Sequence, residues 1–205
     1  MVTIIDYQAG NIGSIVNMLQ RLGFPSTVTD QPAVLEEATH IILPGVGSFD
    51  YGMSKLAELN LLKILNKKVL EEKIPILGVC LGAQLMCRSS EEGKLQGLGW
   101  IDAEVKKIPS VKEGKKILVP HIGWNAVTNI KSSKLFNGMV HSRFYFVHSF
   151  YIHAHQPSDV LSSNHYAIEF TSAFEKGNIL GVQFHPEKSH SYGKNLYTNF
   201  LTQYN

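Results

Sequence analysis

The chain has 205 residues, 44% of them hydrophobic, enough to bury a sizeable core as one domain. Its 19 Lys and Arg against 17 Asp and Glu leave a formal charge of +2, with no dense basic run or basic-aromatic stripe, which argues against nucleic acid or a membrane surface as partner. The opening MVTIIDYQAG carries no charged leader, no apolar stretch approaches bilayer length, and the two cysteines form neither a disulfide framework nor a CxxC metal motif; the expectation is a soluble cytoplasmic protein in a reducing compartment.

Val2 to Asp6 reads as the first strand. Ile12, Ile15, Val16, Leu19 and Leu22 then recur at helical spacing up to Gly23, a C-terminal stop. A strand around Ser26 to Thr29, a short helix near Ala33 to Ala38 and the buried-type run His40 to Leu43 follow, and that run ends in the loop Pro44-Gly-Val-Gly47. GVGSFD lacks the third glycine of a dinucleotide loop and leads into no clear helix. The spacing predicts a helical region over Met53 to Glu72, then a strand from Ile74 to Val79 that runs straight into Cys80. After about residue 97 the pattern turns β-rich: Trp100 to Ile108, Lys116 to Val119, Arg143 to His153, Tyr166 to Ala173 and Asn178 to Phe184, with a closing helix over Ser189 to Gln203. No internal repeat, low-complexity segment or linker interrupts the chain. The fold class these runs predict is α/β: an open, mostly parallel central sheet with helices on both faces and an antiparallel β add-on. Ligands would bind outside the carboxyl ends of the parallel strands.

The chemistry concentrates at two places. G-x-C-x-G at Gly78 to Gly82 has the logic of a nucleophile elbow, a sharp strand-to-helix turn on which small neighbours give a reactive side chain room. The helix after Cys80 would favour the thiolate, and the amide of Leu81 would point where an oxyanion could form. Gly181-Val-Gln-Phe-His-Pro-Glu187 delivers His185 and Glu187 two apart on an extended segment, so that both face one way. His185 could deprotonate Cys80, and Glu187 could hold the ring's tautomer. A buried inert cysteine and a surface histidine are the plainer alternatives. The coupling of both motifs in one small chain argues against them.

GVCLGAQ, LPGVGSF and FHPEKS together resemble the class I, or triad, glutamine amidotransferases. More narrowly, DYQAGNIGS, PHIGWN and YFVHSFY are similar to the glutaminase subunits of imidazole glycerol phosphate synthase, a resemblance that spans residues 2 to 201. It implies a flavodoxin-like sheet and a Cys80-His185-Glu187 triad that releases ammonia from glutamine without a cofactor. It also implies an oxyanion hole from Leu81 with Val46 or Gly47, on a strand that switches orientation when the partner and its substrate are bound. Substrate contacts would come from Gly47, Gln84, His148, Ser149 and Phe150. The implied partner is a cyclase subunit with a (β/α)8 barrel, docked on Ala9, Asn11, Trp124 and Lys188. Trp124 as internal packing is the plainer alternative.

Two features depart from that family pattern: Gln8 where glycine is usual, and His190 in FHPEKSHSYGK. They resemble divergent paralogues that feed ammonia to a sugar-modifying synthetase. A non-catalytic scaffold would have lost the nucleophile, which Cys80 argues against. His153-Ala-His155 could offer two imidazoles on one strand face, but with no third ligand at a recognisable spacing no metal site is expected.

Overall fold

The computed structural model describes residues 1–204. Apolar runs that need cover on both faces become the parallel strands at the centre of the sheet. They are β1 (Val2–Ile5), β3 (His40–Leu43) and β4 (Ile76–Val79), with β2 (Ser26–Thr29) at the edge. Between them lie α1 (Ile12–Arg21), α2 (Pro32–Leu35), α3 (Phe49–Glu58) and α4 (Leu61–Asn66), and α5 (Leu81–Leu85) follows β4 directly. Gly23 ends α1 at φ 80°, the left-handed stop expected of it.

The second half supplies β5 (Ser89–Ser90), β6 (Ala103–Lys107), β7 (Val111–Lys112), β8 (Lys115–Lys116), β9 (His121–Ala126) and β10 (Thr128–Asn129). Next come β11 (Arg143–His148), β12 (Phe150–Ala154), β13 (Val160–Tyr166), β14 (Ile168–Lys176), β15 (Ile179–Val182) and the closing α6 (His190–Gln203). The main sheet runs β2-β1-β3-β4-β15-β14-β12-β6-β5. It is parallel as far as β15 and antiparallel from β15 through β14 and β12 to β6. Alternation along each strand feeds two cores. Ile4, Ile42 and Leu77 meet Leu19 of α1 and Leu196 and Phe200 of α6, whereas Ile5, Ile41 and Ile76 belong with Phe49, Leu61 and Leu85 on the other face.

Several boundaries move from those the sequence suggests. The helical region over Met53 to Glu72 is two α-helices and a π-turn at Lys67–Glu71, because Asn60 takes a left-handed φ of 57° and stops the first. GVGSFD does lead into a helix: Ser48 stands extended at the N-cap and Asp50 lies in the first turn of α3. Lys116 to Val119 is a strand only at Lys115–Lys116, and the strand lies instead at His121–Ala126. Arg143 to His153 is two strands broken at Ser149, since β11 pairs with β9 in a separate ribbon while β12 joins the main sheet beside β6. Of Tyr166 to Ala173, Tyr166 ends β13 and Ile168 onward lies in β14; the rest of β13 has no counterpart in the sequence reading.

The two glycines flanking Cys80 are held by space. A Cβ on Gly78 would lie 2.7 Å from Ala83 Cα, and one on Gly82 would run into the Leu43 carbonyl oxygen. Gly82→Ala should therefore lower stability in urea unfolding by roughly 1–3 kcal/mol through overpacking. Gly13→Ala, in α1 with open space around it, should be neutral or stabilising. Equal effects at the two positions would contradict this packing.

Candidate active site

Cys80 sits between β4 and α5 with φ 53° and ψ −110°, a strained conformation for a residue with a Cβ that costs about 1–3 kcal/mol. The turn is pinned by Cys80 N–H donating to the Val182 carbonyl at 2.8 Å and by Gln84 N–H returning to the Cys80 carbonyl at 3.1 Å. Leu81 opens α5, so its amide has no acceptor within the helix. The sulfur looks onto a cavity of about 300 Å³ at the carboxyl end of the sheet.

Parallel pairing of Val79 with Val182 sets the next residues of both strands side by side. Gln183 and His185 leave β15 on the same side, towards Cys80, while Phe184 turns the other way and stacks on Phe144 at 3.8 Å. His185 Nδ1 donates to Glu187 Oε1 at 2.7 Å, with both side chains 1% exposed. The other ring nitrogen, Nε2, has no partner within ordinary hydrogen-bond geometry, and Cys80 acts on the ring through its charge and a looser hydrogen-bonding contact. Burial opposes a charged ring here. The nearby Cys80, and then Glu187, outweigh it and hold His185 protonated well above the ordinary histidine range. Cys87, by contrast, is wholly buried, donates to the Ala83 carbonyl at 3.7 Å, and burial pushes its thiol up.

The opposite wall comes from the junction of β11 and β12, where His148, Ser149 and Phe150 line the cavity. His148 Nδ1 donates to the Phe150 carbonyl at 2.8 Å, which leaves Nε2 to accept from His121 Nδ1 at 3.0 Å. Burial pushes His148 down to about 3 and His121 down to about 4, so both rings are neutral at physiological pH. The Phe150 carbonyl also accepts from Gln84 Nε2 at 3.0 Å.

Val46 and Gly47 lie on the same cavity, beside Leu81. The first loop clamps their strand from both sides: Tyr7 hydroxyl donates to the Pro44 carbonyl at 2.5 Å, and Val46 N–H donates to the Ala9 carbonyl at 3.0 Å. Val46 N–H is thus engaged away from any oxyanion. Ala9, in the first loop, is itself 5% exposed and packs in the core. Gln8 takes φ 64°, a left-handed position that glycine adopts without strain.

The other residues expected to dock a partner lie outside the cavity. Trp124 is 39% exposed, contrary to internal packing, and lies flat on His190 at 5.4 Å. Lys188 is exposed, with its Nζ 5.8 Å above the Tyr145 ring, the strand partner of Trp124. Asn11 precedes α1 and accepts from the Ser14 hydroxyl at 3.1 Å. His153 and His155 stand 5.4 Å apart, and among the described residues no group of three metal-type ligands exists.

Three residues of the site went unread in the sequence. Gln183 was legible, two before His185 on the same extended segment. His121 had no signal until β9 was placed beside β11. Glu92 lines the cavity from a loop and accepts Phe49 N–H at 2.8 Å, a long-range placement that no local pattern announces.

This sheet, with a cysteine on a strained elbow and a histidine-glutamate pair on the adjacent strand, matches the glutamine amidotransferase class-I family model over residues 3–204, and the chain belongs to that family. A solved glutamine amidotransferase superposes with a TM-score of 0.76 at 19% identity, covering 98% of this chain and 96% of that one. The glutaminase domain of Trypanosoma brucei CTPS with bound acivicin gives 0.65 at 14% identity, over 100% and 94%. At these identities the likeness is one of fold. Within the family the chain groups with the HisH subunits of imidazole glycerol phosphate synthase. The HisH 2 subunit of Methanococcus maripaludis is 51% identical over 99% of this chain and 100% of its own length. The HisH subunit of Bdellovibrio bacteriovorus is 44% identical over 98% of each chain.

The neutral histidine pair carries a pH dependence. Folded His121 and His148 titrate below the ordinary value of 6.5, so the unfolded chain binds more protons as pH falls. The stability they contribute is present above 6.5 and lost as pH drops towards about 4. Melting temperatures between pH 7.5 and 5 should fall more steeply in the native sequence than in His148→Gln; identical slopes would contradict neutral burial.

Proposed function

We propose that the chain, acting as one domain, is a cytoplasmic glutaminase subunit that hydrolyses glutamine and hands the ammonia to a (β/α)8 cyclase subunit making imidazole glycerol phosphate and an aminoimidazole carboxamide ribotide. The observation that carries this reading is the convergence of Cys80, His185 and Glu187 beside one cavity, in a chain whose full-length relatives are imidazole glycerol phosphate synthase subunits.

Cys80 thiolate attacks the side-chain carbonyl carbon of glutamine, and the carbonyl electron pair moves to oxygen. The C–N bond breaks as protonated His185 gives its proton to the leaving nitrogen, which departs as ammonia and leaves a glutamyl thioester. Water then attacks the thioester and gives a proton to His185, the C–S bond breaks, and glutamate leaves. Glu187 holds the imidazole through Nδ1 and stabilises its charged form.

The oxyanion receives the Leu81 amide and one from Val46 or Gly47. Val46 N–H is bonded to Ala9, so with Val46 as the second donor that bond must break before the hole is complete, which supports a slow isolated chain and activation by the partner. Gln84 spends both amide hydrogens inside the protein, so its oxygen is what remains for substrate. Glu92 brings a carboxylate to the cavity wall, suited to an α-ammonium group.

The ammonia needs a sheltered route, because water would convert most of it to ammonium. The exposed ribbon face around Trp124, with Lys188 beside Tyr145, suits the docking surface for a barrel, to which Asn11 of the first loop would add. A second reading, ammonia supply to a sugar-modifying synthetase, is favoured by the position of His190, which departs from the family pattern and stacks on Trp124 at that same face. Stimulation of glutaminase by the cyclase subunit supports the first reading; stimulation only by a synthetase supports the second.

Cys80→Ala should lower glutamine hydrolysis by roughly four orders of magnitude or more, while the partner in the complex still works with added ammonium salt. Retained glutaminase activity would remove Cys80 from the mechanism, and brisk turnover without any partner would contradict the gating.

A further inference from the structure

We propose that Gln183 is a positioning residue for the nucleophile: its carboxamide N–H, aimed by Gln84, donates to the Cys80 sulfur and favours the thiolate. This rests on the reading of Cys80 as the nucleophile.

Gln183 is fully buried, beyond the end of β15, and its side chain touches two groups of the site. Nε2 lies 3.8 Å from Cys80 Sγ, and Oε1 lies 3.1 Å from Gln84 Nε2. The orientation of both amides follows from one fixed acceptor. A backbone carbonyl can only accept, so Gln84 must present nitrogen to Phe150 O. That same nitrogen can only donate, so Gln183 must turn its oxygen to Gln84. Gln183 is then left with its N–H towards sulfur. His148 Nδ1, donating to the same Phe150 carbonyl, holds the far end of the chain.

A donor fixed at that position suits a thiolate, which only accepts, better than a thiol. Gln183 approaches the sulfur independently of His185, whose Nε2 has no partner within ordinary hydrogen-bond geometry. Gln183 therefore keeps the sulfur aimed into the cavity while the proton moves on the other side. The titratable groups near enough to act on Cys80 are His185 from the strand end and Tyr7 from the first loop, and the test leaves both unchanged.

The experiment follows alkylation of Cys80 by iodoacetamide against pH in the full chain, with the label assigned to Cys80 or Cys87 by fragmenting the peptide that carries both. Gln183→Met keeps most of the volume and removes the donor; Gln183→Glu keeps the shape and brings a charge of the wrong sign. The midpoint of the rate profile should rise by about one pH unit in Gln183→Met and by more in Gln183→Glu, from the usual strength of a hydrogen bond to a charged group. In the active complex kcat should fall about tenfold at neutral pH with KM little changed. Profiles that coincide with the native one in either folded variant would overturn the proposal. Retained activity in Cys80→Ala would instead overturn the nucleophile reading beneath it, so the two failures are distinguishable.

Discussion

Everything in the site depends on one pairing, the parallel contact of β4 with β15. Residues 76 to 79 and 179 to 182 run in register, and Cys80 N–H is bonded to the Val182 carbonyl. Whatever follows each strand must therefore emerge at the same level. On one side that is Cys80, forced into an elbow because α5 starts at once; on the other it is Gln183 and His185, turned to one side by strand alternation. A slip of one residue in this register would send Gln183 and His185 to the Phe144 side and leave the thiol unaccompanied.

The electrostatics of the site divide along the same line. His185, beside Cys80 and Glu187, is held charged, whereas His148 and His121 across the cavity are held neutral by burial. Three histidines thus serve two tasks. The charged ring is available for proton transfer, and the neutral pair acts as a fixed chain of donors that locks the Phe150 carbonyl and, through it, Gln84. A buried polar cluster of this kind holds one geometry only when its members are paired, and here each donor has a single compatible acceptor.

Much of this was legible in the sequence. The elbow, the His-Pro-Glu segment and the parallel half of the sheet rest on local signals: small residues around Cys80, period-two alternation before Pro186, and apolar runs closed by glycine. The antiparallel half was harder. Arg143 to His153 reads as one strand because its propensity is continuous, yet the chain changes sheets at Ser149, a choice made by pairing with β9 and β6 rather than by local preference. Glu92 and His121 escaped for the same reason, since their place in the site is set by distant elements. The burial of Ala9 was not legible either, because burial in a loop leaves no periodic trace.

The ribbon face around Trp124 joins the site through short covalent and hydrogen-bonded paths. Lys188 follows Glu187 directly, and Trp124 pairs across the ribbon with Tyr145, whose carbonyl accepts His185 N–H at 2.9 Å. The Val46 N–H bond to the Ala9 carbonyl ties the segment after β3 to the first loop. The central claim, that Cys80 carries the glutamyl group between two steps, is tested most directly by acid-quenching the active complex during glutamine turnover and weighing the peptides. A glutamyl increment on the peptide containing Cys80, absent in Cys80→Ala, is the predicted result. Steady turnover with no increment there, or with the label on another residue, would contradict it.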